Sequence, residues 1–210
     1  GTLILPTLVQ GGTVVLHQGF DVDRFIEAVE SQRCNVAFLV PTLIYTLLDH
    51  PRTRRADWSA MHTLIYSAAP MSPPRIREAV QVFGPCLVQT FGQTESPNCV
   101  LVLSQRDHLL EDQRLASAGR PFPGLTVTLM DEAGTRVRKH GEVGEICVRG
   151  PLLMSGYWGQ PEATQQAFSG DWLHTGDMAW QDDQGYYYNV DPKKDVIISG
   201  GVNVDPNEVE

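Results

Sequence analysis

The chain has 210 residues, of which 42% are hydrophobic and 20% charged, and its formal net charge is −9. Such a chain buries a substantial core and forms one large domain or two small ones. The acidic balance argues against a nucleic-acid-binding protein, which would carry a basic face, but it leaves room for a nucleotide held by backbone N–H groups and a metal ion.

The first part of the chain, 1–115, alternates apolar runs with amphipathic helical segments. The alternation predicts strands in the apolar runs 13–18, 35–41, 62–70 and 86–91. It predicts helices over 21–33, 42–51 and 72–84, the first of them capped by Asp21. The run at 35–41 is continuous, as expected of a strand covered on both faces. The predicted fold is therefore α/β, a mostly parallel sheet with flanking helices, whose ligands lie at the carboxyl ends of strands.

The second part, 116–194, loses the helical period and shows short strands separated by turn residues. The stretches DEAG at 131–134 and DDQG at 182–185 are typical of hairpin turns. We therefore expect a smaller antiparallel, barrel-like subdomain. The glycine-rich segment 195–210 is predicted to be a hinge and the beginning of a further domain.

The cysteines and histidines show no metal-binding spacing. Cys34, Cys86, Cys99 and Cys147 form no CxxC pair, and the histidines form no HxxxH or HExxH pattern. They indicate buried thiols in a reducing compartment, interpreted as the cytoplasm. No apolar stretch reaches the roughly 18 residues of a membrane span, and no signal peptide is visible. The chain begins without methionine and stops at the onset of a helical pattern, so we interpret it as an internal fragment.

The strand that ends in FGQTE, at 91–95, is the first candidate site. Gly92 lets a ligand approach the backbone, and Phe91 offers an apolar face to a base. Thr94 has a hydroxyl for a phosphate oxygen, and Glu95 has the hard oxygens that Mg²⁺ prefers. The alternative is an ordinary strand end with a helix cap at Thr94.

Three weaker candidates lie elsewhere. Asp177, after the turn Thr175–Gly176, could accept hydrogen bonds from both hydroxyls of a ribose or be an ordinary turn residue. The small residues 67–70 could lie against a planar ring or form a tight turn. The pair Lys193–Lys194 could bind phosphates or belong to a linker. His174 is interpreted as a packed residue, and Tyr157 and Trp158 are assigned no chemistry.

These motifs together resemble the acyl-adenylate-forming superfamily, which includes acyl-CoA synthetases, luciferases and peptide-synthetase adenylation domains. The order and spacing that carry the resemblance are those of YSAAP, FGQTE, GEICVRGPLLMSGYWG, WLHTGD and DQGYYYNVDPKKDVIISGGVNVDPNEVE. The resemblance implies a reaction in two halves. A carboxylate attacks the α-phosphate of Mg·ATP to give an acyl-AMP and pyrophosphate, and a thiol, commonly of coenzyme A, then displaces AMP.

The resemblance also implies roles for individual residues. Thr94 and Glu95 are the catalytic pair, as the α-phosphate and Mg²⁺ ligands. The nucleotide and cofactor contacts it implies are Ala68, Ala69, Pro70, Phe91, Gly92, Thr94, Asp177, Lys194, Gly200 and Gly201. Among these, Phe91 packs on adenine, Asp177 binds ribose, Lys194 is at a hinge between domains, and the two glycines lie near the pantetheine tunnel.

The chain departs from the family pattern in three places. The phosphate loop and the adenylating lysine are expected outside these residues, so the chain alone is predicted to be inactive. Pro192 stands where the hinge segment usually has arginine, which removes a donor to the ribose. We favour a carboxylic acid–CoA ligase acting on a fatty acid rather than an aryl acid, with no nucleic-acid partner. The alternatives are an enzyme that loads a carrier-protein thiol and a non-catalytic nucleotide- or acyl-binding homologue.

Overall fold

A five-stranded mixed sheet forms the first half of the computed structural model, which describes residues 3–190, 197–199 and 202–204. The first three strands pair in parallel and the last two add antiparallel to them. In spatial order they are β1 (Val36–Leu39), β2 (Thr63–Tyr66), β3 (Leu87–Gln93), β4 (Ser96–Leu103) and β5 (Arg120–Pro121). The predicted α/β class is confirmed, with antiparallel strands closing one side.

Helices accompany this sheet, and all of them except the first bury apolar residues in its core, whereas the first has no buried residue. They are α1 (Ile4–Val9), α2 (Val22–Gln32), α3 (Pro41–Asp49), α4 (Pro73–Phe83) and α5 (Asp112–Leu115), with 3₁₀ turns at Thr53–Arg55 and Asp107–Leu109. Asp21 caps α2 as predicted, because its Oδ1 accepts the N–H of Arg24 at 2.9 Å. Ile26, Ile44 and Ile76 from three helices are fully buried in one core with Leu64 and Leu87 of the sheet.

Two details of the first half differ from the sequence prediction. The run 13–18 is not a strand, and Val15 and Leu16 in it are exposed. Strand β1 is at the edge of the sheet, with Val36 47% and Phe38 40% exposed, so within the described residues it is not covered on both faces. An apolar run reports the capacity for burial, whereas a packing partner decides whether burial occurs.

The second half forms an antiparallel sheet in the order β10-β9-β7-β6, with β8 also paired to β9. Its strands are β6 (Thr126–Met130), β7 (Val143–Arg149), β8 (Phe168–Ser169), β9 (Trp172–Gln181) and β10 (Tyr187–Asn189). Helix α6 (Pro161–Ala167) precedes β8, and β11 (Ile197–Ser199) pairs with β12 (Val202–Val204). The smaller antiparallel unit is thus confirmed.

Both predicted hairpin turns are present in this sheet. Asp131 Oδ1 accepts the N–H groups of Ala133 and Thr135, and Asp182 Oδ1 accepts those of Gln184 and Tyr186. These aspartates stabilise the turns by replacing backbone acceptors, which is why their position in the sequence was informative. Among the described residues, no helix is long and apolar enough to cross a membrane.

A shared core joins the two sheets. Val100 and Leu101 of β4 pack in it with Ile146 of β7 and Ala179 of β9, and Phe91 packs against the same cluster. A bridge between Gly119 and Tyr187 also connects the end of the first half to β10. The strand end at FGQTE therefore lies against the second sheet rather than free in solvent.

Candidate functional site

The carboxyl ends of β2 and β3 lie side by side. Tyr66 is in register with Gln89, and just beyond it Ser67 Oγ donates a hydrogen bond of 2.6 Å to the carbonyl of Thr90. Ala68 follows with φ +75, a conformation that costs an alanine about 1 kcal/mol. Residues 68–70 are thereby held beside the end of β3, which is the edge where open α/β sheets bind ligands.

The segment after β3 is a tight turn and not a helix. Gln93 pairs with Ser96, so Thr94 and Glu95 form the two-residue connection between β3 and β4. The register slips between Phe91 and Gln93, which places a bulge at Gly92. The helix cap considered for Thr94 is therefore wrong. The exposed hydroxyl of Thr94 and the half-buried carboxylate of Glu95 sit at a hairpin tip.

The turn is held from the second sheet. The Tyr157 hydroxyl donates to Glu95 Oε1 at 2.7 Å, and the N–H of Met154 donates to the Glu95 carbonyl at 2.8 Å. Both donors come from the loop that follows β7. No chemical role for Tyr157 could be predicted from the sequence, because residues 62 positions apart show no local pattern.

Phe91 is packed on one side and partly exposed on the other. Its ring is half-buried and packs against the core shared by the two sheets, near Ile146 and Ala179. The ring is thus held in place by packing while part of it stays exposed. An aromatic ring fixed in this way suits stacking against a planar ligand, since little side-chain entropy is lost on binding.

Asp177 lies on a bulge in β9. Cys147 is opposite His174 and Glu145 is opposite Met178, so residues 175–177 face the single residue Ile146. Gly176 adopts φ +79 at this point, which glycine tolerates without a Cβ penalty. Bulges re-aim side chains next to functional sites. The turn signal in HTGD, at 174–177, therefore corresponds to an irregular part of strand β9 and not to a loop between strands.

Glu145 holds the bulge by its carboxylate. Oε1 accepts the N–H of Gly176 at 2.8 Å, and Oε2 accepts from Nδ1 of His174 at 2.7 Å. Thr175 Oγ1 adds a bond to the carbonyl of Ile146 at 2.8 Å and accepts the N–H of Asp177 at 3.1 Å. His174 is a hydrogen-bonded packed residue, as the sequence suggested, and Glu145 is a structural partner that sequence reasoning missed.

Burial raises the pKa of Asp177, and the nearby charge of Glu145 raises it further. Two carboxylates that share a partly dehydrated region disfavour each other's ionised form. A buried acceptor of this kind gains from a ligand that donates hydrogen bonds to it. The vicinal hydroxyls of a ribose are such donors, so the residue fits the group that the family resemblance implies.

Within the residues that the structure describes, two donor sets could hold a metal ion. One carboxylate beside a hydroxyl, Glu95 with Thr94, suits Mg²⁺, which binds few protein ligands and completes its shell with phosphate oxygens and water. The other set is Glu145, Cys147 and His174, whose ligand atoms lie within 4.8 Å of one another. Its Glu145–His174 pair is already a direct hydrogen bond, and burial followed by the charge of Glu145 raises the pKa of Cys147 to about 12. Because the Glu145 carboxylate is already bonded to His174 and to the N–H of Gly176, we assign this set a structural role.

The structure brings some of the predicted residues together and leaves others outside its description. Residues 68–70 lie beside the end of the strand that carries 91–95, and Asp177 lies on the β9 bulge opposite Ile146, a member of the core against which Phe91 packs. Lys194, Gly200, Gly201 and the departing residue Pro192 lie outside the described residues. All four cysteines are free thiols; Cys86 and Cys147 are buried as expected, whereas Cys34 and Cys99 are half-buried.

The chain is similar to proteins of known activity. Residues 1–158 match the family described as AMP-binding enzyme. Over 205 residues, 98% of the chain, it is 45% identical to a medium/long-chain-fatty-acid–CoA ligase, FadD8, of Mycobacterium tuberculosis, and it spans 35% of that protein. It is 44% identical over its whole length to a feruloyl-CoA synthase of an Amycolatopsis species and spans 42% of it.

The fold of the chain is also similar to those of solved structures. An amide bond synthetase of Marinactinospora thermotolerans, McbA, superposes with a TM-score of 0.92 at 39% identity, over 97% of this chain and 41% of that one. An o-succinylbenzoate CoA synthetase of Bacillus subtilis, solved with ATP and a magnesium ion, superposes with a TM-score of 0.81 at 30% identity, over 99% of this chain and 42% of that one. The chain thus spans about 35–42% of the length of these relatives.

Proposed function

Because the chain belongs to the AMP-binding enzyme family, we propose that the whole protein is an acid–thiol ligase that forms AMP. In the first half-reaction a carboxylate oxygen bonds to the α-phosphorus of ATP and pyrophosphate leaves, which gives an acyl-AMP. In the second, the sulfur of coenzyme A attacks the acyl carbon, AMP leaves, and the thiol proton passes to solvent. The CoA ligase activities of the two sequence relatives support this proposal.

One observation carries the proposal: the ends of two parallel strands meet, joined by the Ser67–Thr90 hydrogen bond, and one of them ends in Thr94 and Glu95. Residues 68–70 and Gly92 would allow close approach of a nucleotide to backbone, and Phe91 would support its base. Thr94 would donate to the α-phosphate. Asp177 would accept the ribose hydroxyls, and Lys194, Gly200 and Gly201 keep the roles that the resemblance implies.

Glu95 is the residue that would hold Mg²⁺ at this site. When bound, the ion neutralises charge that develops on the phosphate oxygens. The protein contributes an oriented carboxylate, because Tyr157 and Met154 hold both the side chain and the main chain of Glu95. Thr94, in the same turn, contributes a hydroxyl that needs no rearrangement of the backbone. A similar protein solved with ATP and a magnesium ion supports Mg·ATP as the ligand of this site.

The domain divisions 1–115, 116–194 and 195–210 and the substrate are also proposals. A fatty acid is favoured and an aryl acid is the runner-up, in line with the fatty-acid and feruloyl activities of the relatives. Since the chain spans about 35–42% of those relatives, we propose that it does not adenylate by itself. The free cysteines support a reducing, cytoplasmic location.

There are two alternatives to a CoA ligase: one shares the first half-reaction, and the other carries out no reaction. An enzyme that loads a carrier-protein thiol forms the same acyl-AMP, and the similarity to an amide bond synthetase adds an amine as a possible acceptor. A non-catalytic homologue would bind a nucleotide without chemistry, and Pro192 is the residue that suggests it. The acceptor and the first step therefore need separate measurements.

The test is acid-dependent ATP–pyrophosphate exchange by the whole protein across a panel of fatty and aryl acids. We expect exchange with one class, followed by acyl-CoA formation only when coenzyme A is added. A Glu95→Gln variant should lower exchange by about 100-fold, since it replaces a charged metal ligand by a neutral one. Binding of Mg·ATP without exchange for any acid would contradict the ligase proposal. Product formed with an amine or carrier protein but not with coenzyme A would reassign the acceptor.

A further inference from the structure

The loop between β7 and α6 contacts Glu95 at two separate points. Met154 donates its N–H to the Glu95 carbonyl at 2.8 Å, and Tyr157 donates its hydroxyl to Glu95 Oε1 at 2.7 Å. The two donors are three residues apart on one segment, and they form hydrogen bonds with the main chain and the side chain of the same residue, Glu95. A loop of the second sheet thus fixes a carboxylate at the tip of a hairpin of the first.

We propose that Tyr157 is a positioning residue that orients the carboxylate of Glu95 for Mg²⁺. The inference rests on the proposed function, because it deepens the role given there to Glu95. Tyr157 occupies Oε1 with a hydrogen bond, and within the described part of the chain no side chain or backbone group is seen bonded to Oε2, so that oxygen could face the ion. Hydrogen-bonded partners of ligating carboxylates set the orientation and the basicity of the ligand.

Tyr157 is itself held by helix α6. Its N–H donates to Thr164 Oγ1 at 2.9 Å, and that hydroxyl donates to the carbonyl of Gln160 at 2.9 Å. Gly156, just before it, has φ +146, and a Cβ there would come within 2.8 Å of Thr164 Cγ2. The backbone of Tyr157 therefore rests against the first turn of α6 at a place where only glycine fits beside it.

The Tyr157 hydroxyl meets the Glu95 carboxylate through a hydrogen bond and not through an ion pair. A neutral hydroxyl orients a carboxylate without cancelling its charge, whereas a lysine or arginine at this position would compete with a cation. The residue type thus suits a metal ligand better than an ion-pair partner would.

The experiment compares two binding reactions of the whole protein, one with the metal and one without. Tyr157→Phe removes the hydroxyl and keeps the ring. We expect the free Mg²⁺ concentration at half-maximal ATP binding, measured by calorimetry, to rise about tenfold. The affinity for AMP in the presence of a chelator should not change, because that reaction needs no metal. A general structural effect would weaken both reactions.

Two further variants sharpen the test. Trp158→Phe changes the neighbouring side chain, which is 98% exposed, and should leave the Mg²⁺ requirement as it is. In a Glu95→Gln background the Tyr157→Phe change should have no additional effect, since the carboxylate it orients is gone. Thr164→Ala, which loosens the backbone of Tyr157, should raise the Mg²⁺ requirement by a smaller factor than Tyr157→Phe does.

The outcomes separate this inference from the proposed function. An unchanged or lower Mg²⁺ requirement in Tyr157→Phe would overturn the inference, as would an equal loss of AMP and Mg·ATP binding. Metal-selective weakening without any acid-dependent exchange by the wild type would support the inference and overturn the ligase activity. A wild type that binds neither AMP nor Mg·ATP would overturn both.

Discussion

At the scale of single residues, the environment of Asp177 lowers the stability of the folded protein but suits the ligand role proposed for this residue. Its carboxylate is half-buried on the bulge of β9, and burial together with Glu145 raises its pKa. A carboxyl whose pKa is raised by folding destabilises the native state at pH values above that pKa. The ionised carboxyl of Asp177 therefore lowers the stability of the folded protein at neutral pH.

We predict that Asp177→Asn raises the free energy of unfolding of the whole protein by about 1 kcal/mol at neutral pH. The gain should shrink as the pH falls below the folded-state pKa of Asp177 and vanish below 3.8, the ordinary value of an aspartate, where the wild-type carboxyl is protonated in both states. AMP should bind about 10- to 100-fold more weakly, since a charged acceptor is lost. Thermal unfolding at several pH values and AMP titration measure the two effects.

Asp171 is the matched control for this substitution. It is exposed in the turn just before β9. Asp171→Asn should change neither stability nor AMP affinity beyond about 0.5 kcal/mol, as is usual for surface changes. If Asp177→Asn lost stability instead, or bound AMP as tightly as the wild type, the ribose role of Asp177 would be wrong.

At the scale of elements, the two sheets meet where backbone approaches backbone. Gly119 lies at that junction with φ +97 and bridges to Tyr187. A Cβ on Gly119 would come within 2.1 Å of the carbonyl oxygen of Val102, which belongs to β4. The chain can pass from the first sheet to the second here because glycine has no side chain.

We predict that Gly119→Ala lowers the free energy of unfolding by more than about 4 kcal/mol, because backbone atoms of β4 cannot move aside. Gly124→Ala is the control: its φ is +91, but nothing lies within 4 Å of the added Cβ, so only the backbone strain of about 1–2 kcal/mol applies. Urea denaturation of both variants measures the difference. Equal losses would show that the close approach to Val102 has no energetic weight.

At the scale of the whole molecule, a cluster around Tyr186 ties the turn before β10 to the end of β4. Its hydroxyl donates to Asp107 Oδ1 at 2.7 Å, and the guanidinium carbons of Arg114 and Arg120 lie 4.3 and 4.2 Å from its ring centre. Burial alone would raise the pKa of Asp107, but hydrogen bonds from Tyr186 and Ser104 and the charge of Arg120 lower it. The contact spans 79 residues of sequence.

We predict that Tyr186→Phe lowers the free energy of unfolding by about 2 kcal/mol at neutral pH, the usual worth of a buried hydrogen bond to a charged group. Because folding lowers the pKa of Asp107, its contribution is full above 3.8 and is lost as the pH falls through the folded-state value. The difference between variant and wild type should therefore narrow in acid. Denaturant unfolding between pH 7 and the acid limit of solubility measures it.

Tyr188→Phe is the control for the long-range part of that effect. The Tyr188 hydroxyl donates to Asp182 Oδ2, six residues away in the same hairpin. Its loss should cost about 1 kcal/mol, because this bond strengthens a turn that other contacts already form. If Tyr188→Phe lowers the free energy of unfolding as much as Tyr186→Phe does, then the long-range contact of Tyr186 is not the source of its contribution to stability.

The sequence by itself determined the local elements and the chemistry of the strand ends. Hydrophobic periodicity, turn residues and short motifs are properties of neighbours along the chain. They predicted helices α2, α3 and α4, the cap at Asp21, the two hairpin turns, the two kinds of sheet and the candidate residues at 91–95. The family resemblance rested on the same motifs.

Only the tertiary structure decided which residues act together and which apolar runs are buried. The exposure of Phe38, the bulge that carries Asp177 and the hold of Tyr157 on Glu95 depend on contacts between segments far apart in sequence. No local pattern encodes such contacts, because the free energy that fixes them comes from packing two sheets against one shared core.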